Sequence, residues 1–356
     1  METTLGEISV LPVQTAILGS PNDIRSLSRD AADSFFARET SIDPEFFLAS
    51  LSRNKWAPRV AVVRQAGKIA GIVYAKERLL AGIPTGMIFG DSTIATMTVA
   101  EPDCRRIVFH SAMTALLQRP HVRSLRLLVP PNGTELQSLR QYASMSFDVC
   151  HAPIDYHSVL ELPSTYEGFL ARLGSRTRRN FRYYREHSEA AGHAYVEDIP
   201  HSEFERIAYS LLKEGVIGAK QSGVSRALRM LAAVKRPWLV GLRSPGGEWL
   251  SIIGGWYDAD RAVMFFQMNS DRKHAKLSLS LVARAHLIES LIGQGVRSLV
   301  FWAGVGDPLH RYVQPIPAVA VSVDAQTFSW RLFRRLVNSR RRWLPPKLAE
   351  WIAGPT

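Results

Sequence analysis

The chain predicts an α/β (α+β) fold of two tandem modules, each a mixed, largely antiparallel sheet flanked by helices. Three observations carry that expectation. Residues 261–304 read as strand, loop, helix and strand in succession. The same order, preceded by a hairpin, recurs in the first half, with negligible identity between the halves. Finally, 356 residues with 46% hydrophobic and 21% charged side chains exceed what one core ordinarily organises and keep a globular composition. The expected divisions are an N-terminal module over 1–160, a C-terminal module over 161–325 and a basic tail over 326–356.

In the first half, Asn22 to Ala37 places Ile24, Leu27, Ala31 and Phe35 on one helical face. Arg59 to Arg64 and Ile69 to Ala75 flank the turn Gln65-Ala66-Gly67 as a hairpin. Gly86 to Thr98 supplies further strand. Glu101-Pro102-Asp103 then opens a helix to about Leu117, with acids and a proline in its first turn. Leu125 to Val129 is a strand stopped by Pro130-Pro131-Asn132-Gly133. A helix near Glu135 to Met145 and two strand pieces, Phe147 to Cys150 and His157 to Leu162, complete this half.

The joining segment is helical in pattern from Tyr166 to Leu173, and a long or broken helix over 167–191 puts Arg172, Arg176, Arg179 and Arg182 on an approximate face. Interleaved with Phe181, Tyr183 and Tyr184, that stripe suits phosphates, stacked bases or neighbouring acids, and equally an ordinary solvated face. Trp238 to Arg243 and Trp249 to Tyr257 form the second hairpin around Ser244-Pro245-Gly246-Gly247. The apolar run Ala262 to Met268 follows as a buried strand. A basic loop then meets the helix Leu277 to Ile292, closed by Gly293 and Gly295, and Ser298 to Trp302 is the next strand. A helix start beside a strand end leaves N–H groups unpaired and adds partial positive charge. Ser278 and Ser280 leave room there for a phosphate, and Arg272, Lys273, His274 and Lys276 surround it, although an ordinary crossover with a solvated loop fits equally well.

The formal charge of +12 favours an anionic partner: a phosphorylated cofactor, RNA or a membrane surface. Cys104 and Cys150 form no metal or disulfide spacing, which predicts a reducing, cytoplasmic setting. The N-terminus lacks the pattern of a signal peptide, and no stretch has the ~18 uncharged apolar residues of a membrane span. Gly218 to Gly223 lacks the Lys-Ser of a phosphate loop, no Gly-x-Ser-x-Gly elbow occurs, and the ten histidines show no helical metal pair. In the tail, Trp330, Leu332, Phe333, Leu336, Val337 and Trp343 alternate with six arginines between Arg331 and Arg342. That pattern over 326–344 fits an amphipathic helix on an anionic membrane, peripheral on its inner face, or a helix packed on the second module.

The segment from His157 to Glu197 resembles the stretch linking tandem modules in the FemAB-like and CelD-like branch of the GNAT acyltransferase superfamily. Ser175, Arg178, Arg179, Asn180 and Gly192 match its pattern. Further on, Gly304, Gly306 and Asp307 match a Gly-x-Gly-Asp-x-x-Tyr-Lys segment, with His310 and Arg311 where Tyr and Lys are usual. The resemblance covers roughly residues 20–325. It implies a GNAT-type sheet that splays between two central strands, so that an acyl thioester lies against exposed strand backbone. It also implies a coenzyme A pyrophosphate near His274 to Ser280, where this chain lacks the usual glycines; some members of the branch use an aminoacyl-tRNA donor instead.

The site expected on this resemblance has three parts. Tyr312 is the candidate acid for the leaving thiolate, and His310 and Asp307 are candidates for the base or for orienting the amine. The donor set is Gln267, Met268 and Asn269, whose strand backbone polarises the carbonyl, with Lys273, His274, Lys276, Ser278 and Ser280 around the phosphates. Arg176, Arg179 and Trp302 are the substrate-binding candidates. The expected function is N-acyl transfer from acyl-CoA, as donor substrate and without a metal, to an amine of a small-molecule, sugar or cell-envelope acceptor. The alternatives are an aminoacyl-tRNA-dependent FemABX-like transferase, with tRNA the less favoured partner, and a degenerate, non-catalytic binding protein.

Overall fold

The computed structural model describes residues 12–30, 43–52, 54–90, 97–140, 147–215, 220–258, 260–270, 274–302 and 304–325. In chain order these form β1 (Val13–Leu18), α1 (Pro21–Asp30), α2 (Pro44–Ser50), β2 (Trp56–Pro58), β3 (Val60–Gln65), β4 (Lys68–Val73), β5 (Ala75–Leu80), β6 (Ile83–Gly90) and β7 (Met97–Val99). Then come α3 (Arg105–Leu117), β8 (Ser124–Val129), α4 (Thr134–Arg140), β9 (Phe147–Glu161), α5 (Tyr166–Arg172), α6 (Ser175–Ala190), β10 (Ala194–Val196), α7 (His201–Lys213) and α8 (Gln221–Ala232). The chain continues through β11 (Pro237–Arg243), β12 (Trp249–Asp258), β13 (Arg261–Asn269), α9 (Leu279–Gly293), β14 (Ser298–Phe301) and β15 (Gln314–Ala325). Single 3-10 turns at Pro102–Cys104 and Ala275–Leu277 lead into α3 and α9.

Two compact units result, each interrupted in sequence. One comprises Met1–Phe35, Leu51–Ile154 and Ala318–Thr356; the other comprises Phe36–Ser50 and Asp155–Pro317. In the first, strands run β1-β3-β4-β7 and β15-β8-β6-β5-β2. All its recorded pairs are antiparallel except β6 and β8, which bracket α3 and pair in parallel at Met87–Phe89 with Ser124–Arg126. Val108, Phe109, Ala112, Met113 and Leu116 of α3 fill its core.

The second unit repeats the plan. Its strands run β10-β11-β12-β13-β14-β9, with one parallel pair, β13 with β14, bracketing α9. One sheet face packs Phe169 of α5, Phe181 of α6 and Leu281, Ala285 and Ile288 of α9 against Met264, Leu299 and Phe301. The opposite face packs Phe204 of α7 and Leu228 and Leu231 of α8 against Ile252, Trp256, Val263 and Val300. Phe46 of α2, fully buried, closes that second layer. Both units are mixed, largely antiparallel sheets flanked by helices, the fold class expected from the sequence.

Several elements differ in detail from the sequence reading. The joining helix is broken: Leu173 is extended and Gly174 begins α6. The strand pieces expected at Phe147–Cys150 and His157–Leu162 are one continuous strand, because a proline such as Pro153 interrupts a ladder only where its N–H is required. α2 has no counterpart among the expected elements. The ends expected for the helices at Ala37 and Met145, and the whole tail over 326–356, lie outside the described residues.

Gly254 and Gly255 set the course of β13. Gly254 faces Phe266 and Gly255 faces Met264, so Phe265 is an extra residue and β13 bulges there. A Cβ on Gly255 would stand 1.9 Å from the Val263 carbonyl oxygen and 2.3 Å from the Trp238 ring. Gly255→Ala is therefore expected to cost about 2–3 kcal/mol in denaturant unfolding through overpacking. Gly293→Ala, whose Cβ would meet nothing within 4 Å, is the control, neutral or stabilising by up to about 1 kcal/mol. Equal effects at the two positions would refute this account of the bulge.

Candidate functional site

Beyond the bulge, β13 and β14 part. Arg261 to Met264 pair with Ser298 to Phe301, and the last link across is the Trp302 N–H donating to the Met264 carbonyl at 3.0 Å. β13 runs on to Asn269 with β12 still paired to it. Its other edge, from Phe265 to Asn269, has no strand partner among the described residues.

On the α9 side the gap carries a polar network. The Ser251 hydroxyl donates to Asn269 Oδ1 at 2.7 Å, and Gln267 Nε2 donates to the same oxygen at 3.2 Å and to the Ser280 carbonyl at 3.4 Å. Arg284 Nε of α9 donates to Gln267 Oε1 at 2.9 Å, and its guanidinium lies 5.9 Å from the centre of the Phe301 ring. Desolvation lowers the Arg284 pKa to about 10. Met268, by contrast, is buried in the α7–α8 layer, so only its backbone faces the gap.

The tip of α9 adjoins this network. Ser278 takes a left-handed conformation, φ +47°, as the N-cap, without a side-chain cap, and its carbonyl accepts the N–H groups of Leu281 and Val282. The first-turn N–H groups of Leu279 and Ser280 precede any intrahelical partner, and no acid stands in that turn. Leu279 is buried against Leu242 and Leu250, whereas Ser278 and Ser280 are partly exposed and Lys276 is exposed. The His274 Nε2 is enclosed without a hydrogen bond. Burial, then the proximity of His274 and His187, lowers the pKa of His193. Lys273 lies outside the described residues.

The opposite face of the gap is aromatic. Trp302, partly exposed, has ring centroids 5.4 Å from Trp256, 5.8 Å from Phe265, 6.2 Å from Phe46 and 4.4 Å from His157. Burial lowers the His157 pKa to about 4.

Tyr312 belongs to a separate cluster. Its hydroxyl accepts the Gly174 N–H at 3.0 Å and donates to Thr177 Oγ1 at 3.2 Å, tying it to the start of α6. Once the phenol ionises the Thr177 hydroxyl can turn and donate to it; that bond, then the Gly174 N–H, favours the phenolate and lowers the Tyr312 pKa. Tyr312 also lines a cavity of about 220 Å³ with Val159, Leu160, Phe169, Arg172 and Leu173. His310 Nδ1 lies 2.7 Å from Asp307 Oδ1 on the surface nearby in sequence. Arg176 and Arg179 are exposed on α6 with no ionic partner among the described residues, whereas Arg182 pairs with Glu167 and Arg185 with Glu189 and Glu289.

The structure thus brings Gln267, Asn269 and Ser280 together. It keeps Tyr312 in a different hydrogen-bond set, and it divides the substrate candidates, with Trp302 in the α7–α8 layer and Arg176 and Arg179 on α6 of the other. Arg284, His157 and Phe46 were missed. Arg284 had a signal: it interrupts the otherwise apolar run Leu281-Val282-Ala283-Arg284-Ala285.

His157 gives a pH prediction. Its folded pKa, about 4, lies below the ordinary value near 6.5, so the unfolded chain binds the proton first and stability falls as pH drops through that window. The wild type is expected to lose about 2–3 kcal/mol more than His157→Gln between pH 7 and 4.5, measured by denaturant unfolding at each pH. Parallel curves for the two proteins would remove His157 as the cause.

No protein-family model matches the chain, and no curated protein sequence does. Solved structures do match. FemX aligns at a TM-score of 0.55 and 8% identity, over 90% of this chain and 99% of that one. L-PGS from Bacillus licheniformis aligns at 0.54 and 11% identity, over 90% and 98%. A conserved protein of unknown function from Bacteroides thetaiotaomicron aligns at 0.55 and 11%, over 87% and 100%. The alignments run through both units, so the chain has the fold of FemX and L-PGS, the GNAT-like fold expected from the sequence.

Proposed function

We propose that the chain is an N-acyltransferase that moves an acyl group from acyl-CoA to an amine of a small-molecule, sugar or cell-envelope acceptor. The observation that carries this reading is the unpaired edge of β13 beside an uncapped, acid-free helix tip. A strand edge inside a sheet offers N–H and C=O groups to an extended chain bearing amides, such as the pantetheine arm, in the manner of strand addition. The tip suits the pyrophosphate, with Lys276 as a cation and Lys273 assigned with it, the His274 ring beside them, and Ser278 and Ser280 leaving space.

The chemistry balances with groups of these kinds. A neutral amine attacks the thioester carbonyl, and an N–H of the strand near Gln267 to Asn269 holds the developing oxyanion. The C–S bond then breaks, the thiolate takes a proton, and the nitrogen loses one. Tyr312 is assigned the proton to the thiolate, since hydrogen bonds that lower its pKa make it a stronger acid. The His310–Asp307 pair is assigned the proton of the amine, and Trp302 the acceptor side of the gap.

A second reading, an aminoacyl-tRNA donor, is favoured by one observation, the exposed Arg176 and Arg179, which have no ionic partner among the described residues. RNA binding that weakens steeply with salt would select it. The cytoplasmic setting belongs to the same proposal. No helix among the described residues is long and apolar enough to cross a membrane, and the membrane-binding assignment for 326–344 lies outside them.

Coenzyme A at about 100 times its dissociation constant is expected to stabilise the protein by about 2.7 kcal/mol in thermal unfolding, and absence of any shift would sink the acyl-CoA reading. Tyr312→Phe is expected to lower turnover about a hundredfold while leaving that protection in place. Full turnover in this variant would take Tyr312 out of the mechanism and leave the fold untouched.

A further inference from the structure

Arg284 is out of keeping with its surroundings. It sits in the second turn of a helix whose neighbours Leu281, Val282, Ala283, Ala285, Leu287 and Ile288 are all buried. A charge in such a place is ordinarily met by a carboxylate. Here no carboxylate lies within ion-pair distance among the described residues; the recorded partners are the neutral Gln267 side chain and the face of Phe301. Both partners flank the parting: Gln267 lies three residues past Met264 on β13, and Phe301 ends β14. These two contacts, Nε to Gln267 at 2.9 Å and the guanidinium 5.9 Å from the Phe301 ring centre, hold the charged group at the parting. Gln267 is turned so that its oxygen takes Arg284 Nε while its nitrogen serves Ser280 and Asn269. Only Nε is used in this way, and the terminal nitrogens bond no described group.

We infer that Arg284 selects the acyl group, and that the acyl group it selects ends in a carboxylate, as in a dicarboxylic acyl thioester. This rests on the acyl-CoA reading above. A planar guanidinium held through Nε presents its remaining edge as a fork that matches a carboxylate in two parallel hydrogen bonds. The network reaches the gap itself, whereas the phosphates belong at the helix tip, so the anion that meets Arg284 is carried by the portion of the donor inside the gap. Low local polarity strengthens the pairing and penalises an acyl group that is neutral or bears an ammonium, because neither compensates the charge. The transfer itself is unchanged: the amine takes the acyl carbon, the thiolate leaves, and the distal carboxylate of the acyl group passes into the amide product.

The test uses the full-length protein with coenzyme A, acetyl-CoA and succinyl-CoA, reading dissociation constants by calorimetry for the wild type, Arg284→Gln and Gln267→Glu. The wild type is expected to bind succinyl-CoA roughly tenfold or more tighter than acetyl-CoA. Arg284→Gln should lose that ratio. Gln267→Glu should lose it too, because it supplies the guanidinium with an internal carboxylate while keeping the arginine, and it serves if Arg284→Gln does not fold. A wild type that binds coenzyme A with no preference between the two thioesters overturns the inference and leaves the acyl-CoA reading standing. A preference that survives in both variants overturns the role of Arg284. Failure of all three ligands to bind overturns the acyl-CoA reading and the inference with it.

Discussion

Backbone hydrogen bonding is the constraint on which the second unit depends. Every strand inside a sheet has two edges to satisfy, and leaving one open is costly unless water or a ligand takes the place of the missing strand. β13 keeps its β12 ladder to the last residue pair, Ser251 with Asn269, and gives up only the β14 edge after Met264. The bulge at Phe265 makes that asymmetry possible, since an added residue bends one strand while its partner stays straight. Gly255 admits the bulge because the Val263 carbonyl and the Trp238 ring occupy the space a side chain would need. A change in register at one residue pair thus becomes an opening between two strands, and both faces of that opening are furnished by residues that alternate along β13.

The charges in the unit follow a consistent division. Arg182 and Arg185 on α6 are neutralised by Glu167, Glu189 and Glu289, and these mainly fix helix against helix. The first turn of α6 holds Arg176 and Arg178 and no acid, although cations oppose the helix dipole at that end. Gly174 and Thr177 of the same turn are engaged by the Tyr312 hydroxyl, so a phenol does there what a capping side chain ordinarily does. That tie explains both the fixed position of Tyr312 and its lowered pKa. It also means that any proton Tyr312 donates comes from a group already held by two hydrogen bonds, which orients it at the expense of mobility.

Much of this was legible from residue pattern because pattern reports burial. Leu281, Ala285 and Ile288 mark the inner face of α9, and the run Ala262 to Met268 marks a strand buried on both sides. The hairpins were legible from Gly67 and Gly247, whose φ values of +78° and +85° meet the needs of their turns. What escaped depends on distant parts of the chain. Asp43 to Ser50 reads as an unremarkable polar-to-apolar stretch, yet Phe46 completes an aromatic cluster with Trp256 and Trp302. His157 looks like any strand histidine until Trp302 is placed 4.4 Å from it. Tyr312 is expected from the resemblance, which locates it along the chain but says nothing of the Gly174 and Thr177 groups that hold it.

The two units share a plan, and the difference between their crossover helices argues which one suits the proposed donor. In the first, α3 opens through Pro102–Cys104 with Asp103 in the turn, and Arg105 is already paired with the fully buried Glu135. Negative charge at that tip is therefore supplied by the chain itself, which stabilises the helix and leaves no call for an outside anion. In the second, the turn that opens α9 has no acid, no capping side chain and a left-handed serine. The nearest charged side chain along the helix, Arg284, is likewise unmatched among the described residues. Among the described residues, a helix tip and a guanidinium without a negative partner, beside a strand edge without a neighbour, are three unmet demands of compatible kind. One extended ligand with phosphates at one end, amides along its length and a carboxylate at the other would meet all three.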